Sequence, residues 1–297
     1  MRSNRRDFLA LTGGALVLAA CSTKSNSTAA GSTTTAAGTS AADGTLPAKF
    51  SVVQRFPSSG LFVPGDVRLP VSLSDGHALL QSGPAEVKGR IVDFKGNKVV
   101  DVVGKRRDKG ISNPYWEVRA QLDKVLIYTL RFDGDDGYGA TFELFDPAQV
   151  KSPLTGKPMP PFDTPTKDNH RGVEPYCSRI TGPCPLHDIT LTEALKKGKP
   201  VAYMVGTPGH CQTGTCAPGL EALVTEHELL GDQVVMVHAD VYADNAATTV
   251  SPAVDALHVD YEPIIYFIDA KGTVVDRLDG VWDATELRER LALLTKA

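Results

Sequence analysis

The chain has 297 residues, with 31 Lys and Arg against 35 Asp and Glu, a net charge of -4 and 42% hydrophobic residues. That length admits one large domain or two ordinary ones. The composition is that of a soluble globular protein, and the nearly balanced charge excludes the basic footprint of a nucleic-acid-binding chain.

Arg2, Arg5 and Arg6 precede an apolar run over residues 9–20 that is too short to span a bilayer, so residues 1–20 read as a signal peptide. Asn4-Arg5-Arg6-Asp7-Phe8-Leu9 resembles the twin-arginine export motif. Leu18-Ala19-Ala20-Cys21 resembles a bacterial lipobox, in which the cysteine is lipidated. Cys21 is then an anchor to the cell membrane on its extracytoplasmic side, and not a redox thiol. Residues 21–45, almost all Ser, Thr, Ala and Gly after the cysteine, offer no side chains for a core and read as a flexible tether.

Over residues 46–150, short apolar or alternating runs recur at 50–54, 67–73, 86–94, 98–103, 115–120, 125–132 and 140–145, separated by Gly, Pro, Asn and Asp. Seven strands at this spacing predict an all-β immunoglobulin-like sandwich. The region contains no cysteine, so its core must rest on packing around Trp116 and Tyr128. Asp133-Gly134-Asp135-Asp136-Gly137 reads as a turn and not a calcium loop, because it lacks the terminal bidentate glutamate. The mixed-charge run Lys105-Arg106-Arg107-Asp108-Lys109 reads as a solvated loop.

Residues 151–186 form a Pro-rich connector, expected to lie along the surface of the domain that follows. Cys177 and Cys184 close it, and in an exported protein they predict a structural disulfide clamping a turn. Thr190-Leu191-Thr192-Glu193 is a capping box that opens a short helix. Residues 187–297 then read in order as strand 201–205, helix 217–230, strand 233–239, helix 251–258, strand 264–268, a hairpin at Asp269-Ala270-Lys271-Gly272, strand 273–278 and helix 284–294. Apolar β-branched strands alternating with amphipathic helices require a sheet covered on both faces.

Cys211 and Cys216 lie between the first of these strands and its helix, where unpaired N–H groups and the macrodipole stabilise a thiolate. With this loop, the Glu262-Pro263 step, the hairpin and a final helix after Gly280-Val281-Trp282, the chain from about residue 158 resembles the thioredoxin-like superfamily. The likeness is greatest to membrane-tethered bacterial members related to the cytochrome-maturation thioredoxins. The resemblance implies an α/β thioredoxin-like domain, a central mixed sheet flanked by helices, and a cis Pro263 that with Glu262 binds substrate beside the cysteines. Cys216-Ala217-Pro218-Gly219 matches the family's Cys-Gly-Pro-Cys in its cysteine and proline, so Cys216 takes the nucleophile's place. Cys211, four residues away instead of two, becomes its displaced partner.

Four cysteines besides Cys21 allow three pairings, and proximity favours Cys177 with Cys184 and Cys211 with Cys216. The expected function is a membrane-anchored extracytoplasmic thiol-disulfide oxidoreductase acting through a C-x4-C pair. One alternative is a non-catalytic cell-envelope binding or assembly lipoprotein with permanent bridges. Another is a peroxiredoxin-like thiol peroxidase, since Thr213-Gly214-Thr215-Cys216 resembles the peroxidatic Thr-x-x-Cys. His210 is placed to tune a thiol pKa or is an ordinary loop histidine, and Glu262 is either a proton acceptor or a surface residue. His187 reads as a structural residue near the capping box. Neither cysteine spacing matches the common zinc patterns, so no metal and no cofactor is expected. The expected partners are protein thiols and disulfides, a membrane electron donor and the membrane itself through the lipid, with no nucleic acid and a monomeric chain.

Overall fold

In the computed structural model, residues 44–57 and 60–296 are described, and all of them fall within one compact unit. The expected signal peptide, Cys21 and nearly all of the tether lie outside the described residues. All seven expected strands form: β1 (Ser51–Gln54), β2 (Gly65–Ser74), β3 (Glu86–Asp93), β4 (Lys98–Arg107), β5 (Tyr115–Leu122), β6 (Ile127–Phe132) and β7 (Ala140–Glu143). They pair antiparallel in the order β1-β2-β5-β4-β3-β6-β7 as one continuous sheet, where the sequence led us to expect two separate ones. The β4–β5 ladder is confined to Lys105, Arg106 and Arg107 against Glu117, Trp116 and Tyr115. The two halves of the sheet therefore join only at one end, and Leu69, Leu73, Ile91, Trp116, Leu130 and Phe142 from both halves share one core.

Alternation along β2 decides what the other face does. Val67, Leu69, Val71 and Leu73 enter the core, while Arg68, Pro70 and Ser72 point the opposite way and are buried as well. Arg68 meets the C-terminal helix there, as described below. The charged run beginning at Lys105 is also not the solvated loop expected. Its first three residues finish β4, and Arg107 reaches both Glu117 on β5 and Glu289 on the C-terminal helix. Burial against a second layer, invisible to a local charge pattern, converts the run into an ion-pair bridge.

The C-terminal part has the thioredoxin-like fold. Its strands β8 (Val201–Val205), β9 (Val235–Ala239), β10 (Ile264–Ile268) and β11 (Val274–Asp279) lie in the order β11-β10-β8-β9, with β8 and β9 parallel and the other pairs antiparallel. The helices are α1 (Leu191–Leu195), α2 (Cys216–Leu230), α3 (Pro252–Leu257) and α4 (Ala284–Thr295). Both faces of β8 and β10 are covered, which explains why these strands are apolar throughout and do not alternate. Ala202, Met204, Ile265 and Phe267 pack with Leu220, Leu223, Leu287 and Leu291 of α2 and α4. Tyr203, Val205, Ile264 and Tyr266 pack on the other side with Leu191 and Ala194 of α1 and Ala253 and Leu257 of α3. The capping box forms as expected, Thr190 accepting from the Glu193 N–H and Glu193 from the Thr190 N–H.

The connector lies along the edge of this sheet. Gly156 N–H donates to Val274 O, Val274 N–H to Lys157 O and Met159 N–H to Gly272 O.

Buried charge ties the sheet-rich part to the thioredoxin-like part. Arg68 holds Glu286 through Nε and Nη2, each at 2.6 Å, and donates further to Asp279 O and Val281 O. Tyr115 Oη donates to the same Glu286 carboxylate. The N-cap of α4, Asp283, accepts from the Glu286 N–H and also from the Asp108 and Lys109 N–H groups.

Candidate active site

The buried β8 ends at Val205, and the chain then runs through a loop to the first turn of α2. Cys211 in the loop and Cys216 at the start of α2 form a disulfide with Cα atoms 5.9 Å apart. Their exposure differs. Cys216 is fully buried while Cys211 is partly exposed. The buried sulfur sits behind Gly206, where an added Cβ would lie 3.6 Å from Cys216 Sγ and 3.2 Å from Pro263 Cβ. The Glu262–Pro263 bond is cis.

The helix-terminal N–H that the sequence associates with stabilising Cys216 serves the other sulfur. Cys216 N–H donates to Cys211 Sγ at 3.3 Å, and Thr213 Oγ1 lies 3.2 Å from the same sulfur and 2.7 Å from Thr215 Oγ1. Thr213 thus faces Cys211 and not Cys216, the cysteine of the Thr-x-x-Cys motif. Accessibility and hydrogen bonding therefore run opposite to the order that the Cys216-Ala217-Pro218 match implied. The reason is packing: the residue that opens α2 is seated against Gly206 and Pro263 at the ends of the two central strands, and the longer loop carries Cys211 outward.

Glu262 lies beside the buried sulfur. Its Oε2 accepts from Thr207 N–H at 2.5 Å and is 3.4 Å from Cys216 Sγ. Burial pushes its pKa above the ordinary carboxylate value, with the Thr207 N–H pulling the other way. The sequence left Glu262 between proton acceptor and surface residue, and the structure puts it beside the Cys216 sulfur. His210 turns the edge of its ring to Tyr242, centroids 6.3 Å apart. Gly219, which occupies the family's second cysteine position, packs against Trp282: a Cβ there would be 2.9 Å from the indole ring.

Cys177 and Cys184 are not bridged; both are free and buried. Instead of facing only each other they face His238 of β9, whose Nδ1 is 3.9 Å from Cys177 Sγ and 3.6 Å from Cys184 Sγ. His187 is in the same cluster, its Nε2 3.1 Å from His238 Nδ1. The expected turn clamp rested on the short separation of the two thiols, while the fold brings His238 of β9 within 3.9 Å of both sulfurs and His187 against it. His238 was missed in the sequence, where it is one polar residue in an otherwise apolar strand, and that break in the pattern was the available signal. Cys177, Cys184, His187 and His238 have the donor set and spacing to hold a metal ion, as do Cys211, Cys216 and Glu262 if the bridge is reduced.

The fold and the paired cysteines at a helix N-terminus define a thioredoxin-like disulfide protein. Over 167 residues, covering 50% of this chain and 79% of the relative, it is 30% identical to the thiol:disulfide interchange protein DsbE of Pseudomonas aeruginosa. The chain belongs to that family. Two solved structures are similar to it at lower identity. A thiol:disulfide interchange protein of the thioredoxin family from Chlorobium tepidum is 15% identical, with 48% of this chain and 98% of that one covered and a TM-score of 0.34. The C-terminal domain of a thiol-disulfide oxidoreductase from Bacteroides thetaiotaomicron is 11% identical, with 48% and 97% covered and a TM-score of 0.34. No family model matches the chain.

Proposed function

We propose that this protein is an extracytoplasmic thiol-disulfide oxidoreductase, held to the membrane by a lipid on Cys21, that exchanges its Cys211–Cys216 disulfide with protein thiols. Among the described residues no helix is long and apolar enough to cross a membrane, and the lipobox-like Leu18-Ala19-Ala20-Cys21 supplies the anchor in this reading. The observation that carries the redox assignment is the asymmetry of the pair, one cysteine partly exposed and one buried beside a carboxyl group.

In the oxidising direction a substrate thiolate attacks Cys211 Sγ, the accessible sulfur. A new S–S bond forms to the substrate, the Cys211–Cys216 bond breaks, and Cys216 leaves with the electron pair. Glu262, with a pKa raised by burial, donates a proton to that thiolate. A second substrate thiolate then attacks the mixed disulfide and releases Cys211, whose charge is met by the Cys216 N–H and the Thr213 hydroxyl. Two electrons pass from the substrate dithiol to the protein disulfide. The reducing direction is the same path reversed, with Glu262 taking the Cys216 proton as Cys216 resolves the mixed disulfide.

A groove of about 200 Å³ lined by Gln54, Arg55, Phe56, Thr213, Glu262 and Gly280 runs past this site and supports a role for the sheet-rich part in holding substrate. The strand grouping β1-β2-β5 and β4-β3-β6-β7 supports reading that part as a sandwich of the immunoglobulin type. The test is trapping. Cys216→Ser should accumulate a mixed disulfide through Cys211 with a model substrate, because the resolving thiol is missing, and Cys211→Ser should accumulate none. A trap formed by Cys211→Ser alone would reverse the roles, and the absence of any exchange in the wild type would leave a binding protein with this fold.

A further inference from the structure

The cluster beside the redox loop is not used in disulfide exchange. Around His238 Nδ1 stand His187 Nε2 at 3.1 Å, Cys184 Sγ at 3.6 Å and Cys177 Sγ at 3.9 Å. All four ligand atoms lie within 4.8 Å of one another, and all four residues are buried. The edges of a tetrahedron of two sulfurs and two nitrogens at ordinary zinc bond lengths measure about 3.3–3.8 Å.

The outer ring nitrogens are already committed. His238 Nε2 donates to Gly206 O at 2.8 Å, and His187 Nδ1 donates to Pro165 O at 3.3 Å. If both rings are neutral, no proton remains for the two nitrogens that face each other, and two lone pairs would meet at 3.1 Å in the buried interior. This is the usual arrangement of metal-binding histidines, in which the second nitrogen is fixed by a carbonyl. Cys184 N–H donates to Cys177 Sγ at 3.4 Å, a bond that favours the thiolate.

We propose that Cys177, Cys184, His187 and His238 bind one Zn²⁺ in a closed tetrahedral site. The S₂N₂ donor set and tetrahedral spacing suit zinc, and four protein ligands leave no position for a substrate, so the ion is structural. Binding releases the two thiol protons to solvent, and the two thiolates balance the charge of one Zn²⁺, with the buried Asp240 carboxyl 3.6 Å from His238 Nε2. The ion would fasten Cys177 and Cys184 of the connector and the adjoining His187 to His238 of β9. Through Gly206 O it would also support the loop packed against Cys216 and Pro263. Coordination would further hold Cys177 and Cys184 out of exchange with the neighbouring disulfide.

The proposal does not depend on which cysteine of the redox pair is attacked, and elemental analysis of the full chain tests it. After incubation with Zn²⁺ and removal of excess, one zinc per chain is expected in the wild type and equally in the Cys211→Ala/Cys216→Ala double variant. Occupancy should fall at least ~10-fold in His238→Ala and in Cys184→Ser. Co²⁺ substituted into the wild type should give the intense visible bands of a tetrahedral site with thiolate-to-cobalt charge transfer, which reads the ligand set without relying on a variant that must fold. Wild type that takes up neither ion, a Cys177–Cys184 disulfide found by mass spectrometry, or zinc lost from the Cys211→Ala/Cys216→Ala variant and retained in His238→Ala would each overturn it.

Discussion

Replacing Arg68 by Met should destabilise the protein far more than an ordinary surface substitution, because it strands a carboxylate in the interior. Glu286 is 0% exposed and the Arg68 side chain 7%. Removing one partner of such a pair costs about 3–5 kcal/mol, since the remaining charge has lost its counter-ion but not its desolvation penalty. The loss also removes a donor from two buried carbonyls, those of Val281 and Asp279, of which Asp279 O keeps the Val281 N–H. Glu286 retains the Tyr115 hydroxyl and can escape by taking a proton. Burial already pushes its pKa up, so the damage should be smaller near pH 5 than near pH 8. Guanidinium denaturation followed by tryptophan fluorescence suits the assay, because Trp116 reports on the sheet-rich core and Trp282 on the thioredoxin-like core. Arg68→Met/Glu286→Leu should be more stable than Arg68→Met, with a coupling of ~1–3 kcal/mol in the double-mutant cycle. A single variant within ~0.5 kcal/mol of wild type, or strictly additive effects, would refute the uncompensated-charge reasoning.

Acid should weaken the same region through Glu117. Burial alone would raise its pKa, but Arg68 and Arg107 outweigh it and hold the carboxyl at about 2, below its ordinary 4.5. A depressed folded-state pKa adds stability that is present above about 4.5 and is lost as pH falls toward about 2. That depression corresponds to ~3 kcal/mol, and Glu117→Gln should flatten the acid limb of the stability curve; an unchanged limb would rule the residue out. Gly219→Ala should cost ~1–3 kcal/mol by forcing a methyl against the Trp282 ring, visible as a lower denaturation midpoint, and a neutral result would mean that the ring yields freely. Cys21→Ala should abolish incorporation of labelled fatty acid and release the chain from membranes, and a variant that stays bound would place the anchor elsewhere.

What the sequence determined by itself is the part of the structure that local physics controls. Alternation marked the seven strands of the first region, continuous apolar runs marked β8 and β10 as doubly covered, and Thr190 with Glu193 marked the start of α1. The cysteine loop before α2 was legible for the same reason, since a helix terminus and its neighbouring residues are adjacent in the chain. Decisions that depend on packing were not legible. Whether Cys211 or Cys216 meets solvent is fixed by how α2 seats under Gly206 and Pro263, which no spacing encodes. The Arg68–Glu286 pair joins residues 218 apart, and its lone charge in an apolar run gave no hint of the partner. Cys177 and Cys184 looked like a clamp because they are close in sequence. His238, 61 and 54 residues further on, reaches them only because β9 pairs beside β8 and the connector folds back across its end. A cluster assembled from a connector and a strand exists only once the sheet order is set, so tertiary structure alone could bring its ligands together.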